Sequence, residues 1–258
     1  MKIGVASGLD MLDRLEELGY DQIETGVSQI ANLTPDEVQA LKQKLSEKKI
    51  VLRSCNCMIP GSVTPLHLDE GLKDSRAYLE RVMPVLADVG VQTVVFGSGG
   101  FRRMPAELPD ERRHSLIRDF LVLVESVARA NGITIVIEPL NQSETNVLNT
   151  TKESMEYIRE LNLPNLKLLV DLYHFYRENE PLERIYEYAA YIRHIHVAEP
   201  TRRDFMRPTD TYDYAPFFRA LKEIGYDGAV IFEGGKGDFH AGVAETYPVL
   251  RGYACSGD

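Results

Sequence analysis

Three features of the sequence predict an α/β fold of the closed (β/α)₈ type. Eight short apolar runs rich in Val and Ile alternate with longer amphipathic stretches along the whole chain. The 258 residues divided among eight such units give about 32 residues each, enough for a strand, a helix and two short loops. No Pro-, Gly- or Ser-rich linker and no shift in composition divides the chain. We therefore expect a single (β/α)₈ barrel domain over residues 1–258.

The predicted strands are the short apolar runs, which are bounded by polar or turn-forming residues. They cover Lys2–Ala6, Asp21–Thr25, Ile50–Cys57, Thr93–Gly97, Ile133–Leu140, Leu166–Tyr173, Tyr191–Ala198 and Ala229–Glu233. Because a helical stretch follows each run, consecutive strands are expected to pair in parallel. An open doubly wound sheet is the alternative. That fold favours a Gly-x-Gly-x-x-Gly turn after its first strand, and Ser7-Gly8-Leu9-Asp10 stands there instead.

The predicted helices begin and end at residues with known capping preferences. Thr34 as N-cap, Pro35 at the first position and two acids in the first turn mark the start of the second helix. Gly19 ends the first helix, and Asn131-Gly132 ends the longest one. The helices are expected at Leu9–Leu18, from Thr34 through Leu45, at Leu72–Val89 with a kink or break at Pro84, and at Pro109–Ala130, Thr150–Leu161, Pro181–Ala190, Tyr214–Ile224 and Phe239–Tyr253.

Charge and composition argue against several classes of protein. Lys and Arg total 29 against 39 Asp and Glu, a net charge of −10, which disfavours binding to nucleic acid or to an anionic membrane surface. No run approaches the roughly 18–20 apolar residues of a membrane span, and the first residues lack the pattern of a signal peptide. Three cysteines do not make a disulfide framework. We therefore expect a cytoplasmic enzyme or binding protein that binds neither nucleic acid nor membrane.

Polar residues with reactive side chains stand at the ends of the last four predicted strands. They are Glu138, Asp171, His196 and Glu233, on the fifth to eighth strands in that order. In a (β/α)₈ barrel the carboxyl ends of the strands meet at one face and carry the active site. We therefore expect these four side chains to converge on one mouth.

Three carboxylates and one imidazole in this arrangement predict a metal site. A carboxylate after an apolar run is costly to desolvate unless it is paired or bound to a metal. This oxygen-rich set suits Mn²⁺, Mg²⁺ or Co²⁺, with Zn²⁺ as a further option. Taken singly, each residue could instead cap a helix or pair with an arginine. His194 faces the same side of its strand as His196 but lies deeper, so we expect a core histidine or one that supports the ligand.

Four motifs in the C-terminal half resemble a known family. The segments IEPLNQSETN, VDLYHFYRE, HIHVAEPTRR and FEGG are similar to those of the xylose isomerase-like TIM-barrel superfamily. Within it they resemble the sugar phosphate isomerase/epimerase group, which includes ketose 3-epimerases and hydroxypyruvate isomerase. The resemblance implies that the four strand-end residues hold one divalent ion. It also implies that Glu144, His174 and Arg202 contact the substrate, because the EPLN-x-x-E, D-x-x-H and H-x₅-R spacings match. Relatives often form dimers or tetramers, so a homodimer or homotetramer is expected.

The resemblance further implies an isomerase that acts on a sugar or sugar phosphate by proton transfer. A divalent ion on the carbonyl and hydroxyl oxygens of a ketose acidifies the adjacent C–H, because the negative charge of the enediolate develops beside the cation. Glu138 and Glu233 are the expected acid and base. Return of the proton on the opposite face gives epimerisation, whereas its return to the neighbouring carbon gives aldose–ketose isomerisation.

Three other functions stay open at this point. An inositol-catabolism dehydratase or isomerase would use the same metal site, and a non-catalytic sugar-binding protein would bind the sugar without proton transfer. An endonuclease IV-like nuclease is least favoured, because it needs three zinc ions and further histidines where Cys57-Met58 and Gly97-Ser98 stand. A phosphate could bind at Gly97–Gly100 beside Arg102 and Arg103, although a tight turn is the favoured interpretation.

Overall fold

The computed structural model describes residues 1–255, which form one closed barrel of eight parallel strands. The strands are β1 (Lys2–Ala6), β2 (Gln22–Gly26), β3 (Val51–Asn56), β4 (Thr93–Phe96), β5 (Thr134–Ile137), β6 (Leu166–Asp171), β7 (Ile192–Val197) and β8 (Ala229–Phe232). Each strand pairs in parallel with the next along the chain, and β8 pairs with β1. The predicted (β/α)₈ barrel is therefore confirmed.

The helices connect successive strands and surround the barrel. They are α1 (Leu12–Leu18), α2 (Val27–Ala31), α3 (Pro35–Ser46), α4 (Gly71–Asp88), α5 (Gly99–Arg102), α6 (Asp110–Ala130), α7 (Thr151–Leu161), α8 (Leu172–Arg177), α9 (Glu183–Glu187), α10 (Ala215–Glu223) and α11 (Phe239–Cys255), with a short 3₁₀ turn at Leu9–Met11 before α1. All eight predicted helices are present, although their bounds differ. The short helices α2, α5 and α8 were not predicted, and each begins within three residues of the end of a strand.

The local signals for helix ends correspond to observed caps. Thr34 and Glu37 form a reciprocal capping box at the start of α3, and Gly19 ends α1 in the left-handed conformation with φ of 92°. Two helices differ from expectation. Of the kink or break predicted at Pro84, a break does not occur, since α4 continues through this residue. The helix predicted from Pro181 is shorter, because its first turn makes tighter i→i+3 bonds.

The inner face of the barrel has an apolar side formed by three neighbouring strands. Val95, Val136 and Leu169, on β4 to β6, form a buried apolar cluster of their own, separate from the large core between the strands and the helices. Side chains two residues apart in a strand share a face. Glu138 and Asp171 therefore lie on the same inward face, one step closer to the carboxyl end than Val136 and Leu169. This alternation places both carboxylates at the mouth of the barrel, above an apolar floor.

One further finding concerns membranes. Among the described residues, no helix combines the length and the apolar character that crossing a bilayer requires.

Candidate metal centre and substrate site

The carboxyl ends of β5 to β8 bring the four predicted metal ligands together. Glu138, Asp171, His196 and Glu233 each offer one ligand atom, and these atoms all lie within 4.8 Å of one another. Asp171 and His196 are register partners in the neighbouring strands β6 and β7, whereas Glu138 and Glu233 directly follow β5 and β8. The first three residues are buried, and the side chain of Glu233 is 18% exposed. Solvent therefore reaches the cluster beside Glu233.

His196 presents one ring nitrogen to this cluster. Its Nδ1 lies 3.1 Å from Oε1 of Glu138 and 3.5 Å from Oε2 of Glu233. Its Nε2 faces the barrel interior, 2.9 Å from Oε1 of Glu24. The deeper histidine, His194, also contacts Glu24, with its Nε2 2.7 Å from Oε2. His194 therefore lies beneath the four-residue cluster and supports it from the interior.

Burial and mutual repulsion determine the protonation of the cluster. Burial, followed by the charge of Glu233, raises the pKa of Glu138, and burial raises the pKa of Asp171 to about 6. Burial acts in the same direction on Glu233, but the charges of His196 and Arg203 outweigh it and hold its pKa well below the usual range. Burial lowers the pKa of His196, but the surrounding carboxylates outweigh it and raise that pKa well above its usual value. Protons thus balance the crowded negative charge when no cation does so.

One oxygen of Asp171 tests whether a cation fits this cluster. Oδ1 accepts a hydrogen bond from the backbone N–H of Tyr173 at 2.7 Å, whereas the buried Oδ2 has no hydrogen-bond partner among the described residues. A buried carboxylate oxygen without a partner is costly, and a cation at the cluster would satisfy it. Three carboxylates and one imidazole form a donor set for Mn²⁺, Mg²⁺, Co²⁺ or Zn²⁺. The residues present therefore fit a divalent ion.

His174 offers a hydrogen-bond donor beside the cluster. The backbone N–H of Asn141 donates to Nδ1 of His174 at 3.1 Å, so the neutral ring carries its proton on Nε2. Burial lowers the pKa of His174 and favours this neutral form. Its Nε2 lies 3.7 Å from Oδ2 of Asp171 and has no hydrogen-bond partner among residues 1–255. His174 is therefore placed to donate to a bound oxygen.

The structure brings the predicted substrate residue Glu144 to the site, but not Arg202. The side chain of Arg202 is 55% exposed and pairs with Glu199 at 3.1 Å. Its neighbour Arg203 reaches the site instead, with Nη1 3.1 Å from Oε1 of Glu144 and Nη2 2.8 Å from Oε2 of Glu233. Arg203 has a φ of 51°, in the left-handed region, and this backbone turn accompanies the divergence of the two side chains. The arginine at the site is one residue later than the motif spacing indicated.

Besides Arg203, two residues at the site were missed by the sequence analysis. Glu24 of β2 is completely buried. Burial would raise its pKa, but the charges of His196 and His194 outweigh burial and lower it to about 2. Asn56, the last residue of β3, donates from Nδ2 to Oε1 of Glu233 at 2.8 Å. An acid inside an apolar strand was an available signal for Glu24, whereas Asn56 carried none.

The residues after β4 form the short helix α5 rather than a tight turn alone, and one of the two arginines of the alternative phosphate site points away from solvent. Arg102 is fully buried and donates to the carbonyl oxygens of Phe96 at 3.0 Å and Glu138 at 2.9 Å. Arg102 therefore holds the ends of β4 and β5 together and cannot reach a phosphate in solvent. Arg103 donates to the backbone carbonyl of Ser143 at 3.3 Å.

Comparison with known families agrees with this geometry. Residues 12–251 match a family model described as xylose isomerase-like TIM barrel. The chain belongs to this family. The match extends over the N-terminal half, where the sequence motifs were not informative. The resemblance inferred from the four C-terminal motifs is therefore confirmed.

Relatives within this family are sugar epimerases. A ketose 3-epimerase of Arthrobacter globiformis is 28% identical over 225 residues, covering 86% of this chain and 75% of the relative. The 3-dehydro-D-guloside 4-epimerase of Escherichia coli (strain K12) is 24% identical over 233 residues, covering 88% of this chain and 86% of the relative. The structure of a D-psicose 3-epimerase crystallised in the presence of D-fructose superposes with a TM-score of 0.83 over 100% of both chains, at 19% identity, which shows the shared fold. Epimerases are isomerases, so the predicted enzyme class is confirmed by the two sequence relatives.

Proposed function

We propose that the protein is a divalent-metal-dependent sugar epimerase in which Glu138 and Glu233 exchange a proton with the substrate. The convergence of three carboxylates and one imidazole at the mouth of the barrel carries this proposal. The names of the two sequence relatives refer to ketoses and to a 3-dehydro-guloside, which supports a small carbohydrate with a keto group as the substrate. Mn²⁺, Mg²⁺ and Co²⁺ are the ions that the donor set favours.

Four residues would hold the ion, and their neighbours keep them in place. A divalent ion bound to Glu138, Asp171, His196 and Glu233 would stabilise the negative charge that develops on the sugar oxygens after a C–H proton leaves. Glu233 accepts hydrogen bonds from Asn56 and Arg203 on its two oxygens, at 2.8 Å each. These bonds fix the orientation of a carboxylate that must both bind and transfer a proton.

The proton is transferred by two carboxylates on separate strands. Glu138 and Glu233 follow β5 and β8, with β6 and β7 between them. A sugar bound between these strands presents one face to each carboxylate. One carboxylate removes the proton from the carbon beside the carbonyl, and the other returns a proton on the opposite face, which inverts that carbon.

Three further side chains contact the substrate in this proposal. The Nε2–H of His174 donates to a sugar oxygen, since no described residue accepts its hydrogen bond. Glu144 and Arg203 form an ion pair at 3.1 Å whose remaining donors and acceptors suit sugar hydroxyls. Arg203 takes the role that the motif spacing assigned to Arg202, because only Arg203 reaches Glu233.

Solvent deuterium exchange tests this function. Ketoses, ketose phosphates and a 3-keto-glycoside are incubated in D₂O with Mn²⁺ or Mg²⁺, and products are analysed by NMR and mass. We expect deuterium beside the carbonyl with inversion at that carbon and without loss of water. Glu138→Gln and Glu233→Gln should each lower the exchange rate by at least about a thousandfold while the fold survives. Glu17→Gln, an exposed residue of α1, should match the wild type.

Several results of this experiment, combined with thermal melting and a count of bound metal ions, would contradict the proposal. Loss of water from the substrate would indicate a dehydratase. Ligand-induced thermal stabilisation without exchange would indicate a non-catalytic sugar-binding protein. Full activity in both glutamine variants would remove the mechanism. Three metal ions per chain instead of one would favour an endonuclease IV-like site.

The location and the oligomeric state of the protein are still to be tested. A cytoplasmic location and a homodimer or homotetramer stay predictions, which fractionation and light scattering of the purified protein can test.

A further inference from the structure

A buried carboxylate lies beneath the metal cluster in the barrel interior. Glu24 is completely buried and reaches from β2 to β7, a strand with which β2 does not pair. Its Oε2 lies 2.7 Å from Nε2 of His194, and its Oε1 lies 2.9 Å from Nε2 of His196. Each oxygen of this carboxylate therefore faces one imidazole.

These three residues form a second set of neighbouring ligand atoms. The set lies within 4.8 Å, so a second metal ion is the alternative interpretation. Two atoms bound to one tetrahedral ion at about 2.1 Å each are roughly 3.4 Å apart. The observed N–O distances are shorter: the 2.7 Å contact with His194 is a hydrogen bond, and the 2.9 Å contact with His196 is within ion-pair distance. The distances therefore favour direct contact between Glu24 and the two histidines, without an ion between them.

We propose that Glu24 is a positioning residue that orients His196 for metal binding, an inference that rests on the proposed metal-dependent function. The negative charge of Glu24, with Oε1 2.9 Å from Nε2 of His196, favours a proton on this nitrogen, which leaves the lone pair of Nδ1 facing Glu138 and Glu233. A carboxylate on the far nitrogen also makes the near nitrogen a stronger metal ligand. Without Glu24 the proton could move to Nδ1 and point into the cluster.

His194 holds the Glu24 carboxylate in place. Its hydrogen bond to Oε2 of Glu24 at 2.7 Å fixes one end of the buried carboxylate, while the other oxygen faces Nε2 of His196 at 2.9 Å. The nearby imidazoles lower the cost of keeping this charge in the interior. The pair Glu24 and His194 is therefore a support for His196 rather than a separate site.

A spectroscopic measurement on the wild-type protein tests the orientation without any change to the fold. The protein is labelled with ¹⁵N-histidine and loaded with diamagnetic Zn²⁺, and the His196 signals are assigned with a His196→Gln variant. We expect His196 to carry its proton on Nε2 and to bind the ion through Nδ1. Binding through Nε2, with the proton on Nδ1, would overturn the inference.

A pair of variants on one face of β2 tests the contribution to affinity. Glu24→Gln should raise the dissociation constant for Mn²⁺ by about 10- to 100-fold. The control is Gln22→Met, two residues earlier on the same face, where the buried side chain donates to Ser54 at 2.7 Å. Gln22→Met should leave the constant within about twofold, even where both variants lower the melting temperature of the metal-free protein.

The outcomes separate this inference from the proposed function. An unchanged dissociation constant in a folded Glu24→Gln protein would overturn the inference alone, since metal binding and exchange would persist. Two ions per wild-type chain, with the second lost in Glu24→Gln, would also overturn it in favour of a second metal site. If the wild type binds no divalent ion, the proposed function fails and the inference fails with it.

Discussion

Two adjacent arginines show how much the role of a residue depends on the direction of its side chain. The half-exposed Arg202 pairs with the buried Glu199, whereas Arg203 reaches Glu144 and Glu233 at the mouth of the barrel. A motif spacing counts residues along the chain and does not register the left-handed backbone at Arg203. The spacing alone therefore assigned the substrate contact to Arg202.

Matched substitutions of these arginines test the assignment. Arg203→Met removes two charge-assisted hydrogen bonds beside the reacting carbon, so we expect kcat/KM to fall about 10- to 1000-fold. Arg202→Met removes the ion pairs of Arg202 with the buried carboxylates of Glu199 and Asp210, which lie away from Glu233, and should change kcat/KM by less than about threefold even where it lowers stability. Steady-state kinetics on the best substrate of the exchange panel provides the comparison. The opposite order of effects would restore the assignment to Arg202.

Metal affinity should depend on pH, because the ligands must lose protons before they bind. The pKa of Asp171 is raised to about 6 by burial, and the pKa of His196 is raised well above its usual value by nearby carboxylates. Both residues must lose a proton from the atom that binds the ion. Metal affinity should therefore fall as the pH drops through about 6, and it should increase further as the pH is raised above 6. Calorimetry in two buffers of different ionisation enthalpy should also detect proton release. An affinity that is constant between about pH 5 and 8 would contradict this prediction.

At the scale of elements, the junction between β4 and α5 holds one metal ligand in place. Arg102 of α5 donates to the carbonyl oxygens of Phe96 and Glu138, at the ends of β4 and β5. Gly97 lies between these contacts, and a Cβ there would collide with Oε2 of Glu138. Gly97 is therefore needed because the Glu138 carboxylate lies where a Cβ would be, and not because of its φ angle.

Two glycine substitutions in this junction separate a site effect from a backbone effect. Gly97→Ala should displace the Glu138 carboxylate and weaken Mn²⁺ binding at least about tenfold. The colliding atom ends a flexible side chain, so the free energy of unfolding should fall by only about 1 kcal/mol. Gly100→Ala, where a Cβ meets nothing within 4 Å, should leave binding unchanged and stabilise the protein by about 0.5 kcal/mol. Equal metal affinities in the two variants would contradict this account.

At the scale of the whole molecule, closure of the barrel brings distant strands to one interior. An apolar side formed by β4 to β6 adjoins a polar interior contributed by other strands, whose buried members are Gln22, Glu24, Ser54, His194 and His196. Only a closed ring places β2 within reach of β7, and the support of the metal cluster depends on that reach. The proposed metal binding would consequently be coupled to the stability of the whole barrel.

This coupling predicts a metal-dependent melting temperature. An ion at 100 times its dissociation constant stabilises the native state by about 2.7 kcal/mol, which raises the melting temperature of a chain of this size by roughly 5–10 °C. Asp171→Asn keeps the shape of the side chain but removes a ligand charge, so the shift should disappear while the metal-free protein still melts cooperatively. Scanning calorimetry with and without Mn²⁺ measures both quantities. A full shift in Asp171→Asn would show that the ion binds elsewhere.

The amino-acid sequence by itself determined the order of strands and helices and the four residues that meet at the mouth of the barrel. Alternating apolar runs and helix caps are local patterns, and parallel strands in a barrel all end at one face. The residues at the carboxyl ends of β5 to β8 must therefore meet at this face, and the order of the strands is sufficient to predict it.

Only the tertiary structure decided which side chains support that cluster and which arginine reaches it. Glu24 contacts His194 across 170 positions of the chain, and Asn56 contacts Glu233 across 177. Such contacts depend on barrel closure and on the direction in which each side chain leaves the backbone. Arg102, a surface phosphate ligand in one interpretation of the sequence, is buried for the same reason, because the strand ends around it supply the carbonyl oxygens that its guanidinium binds.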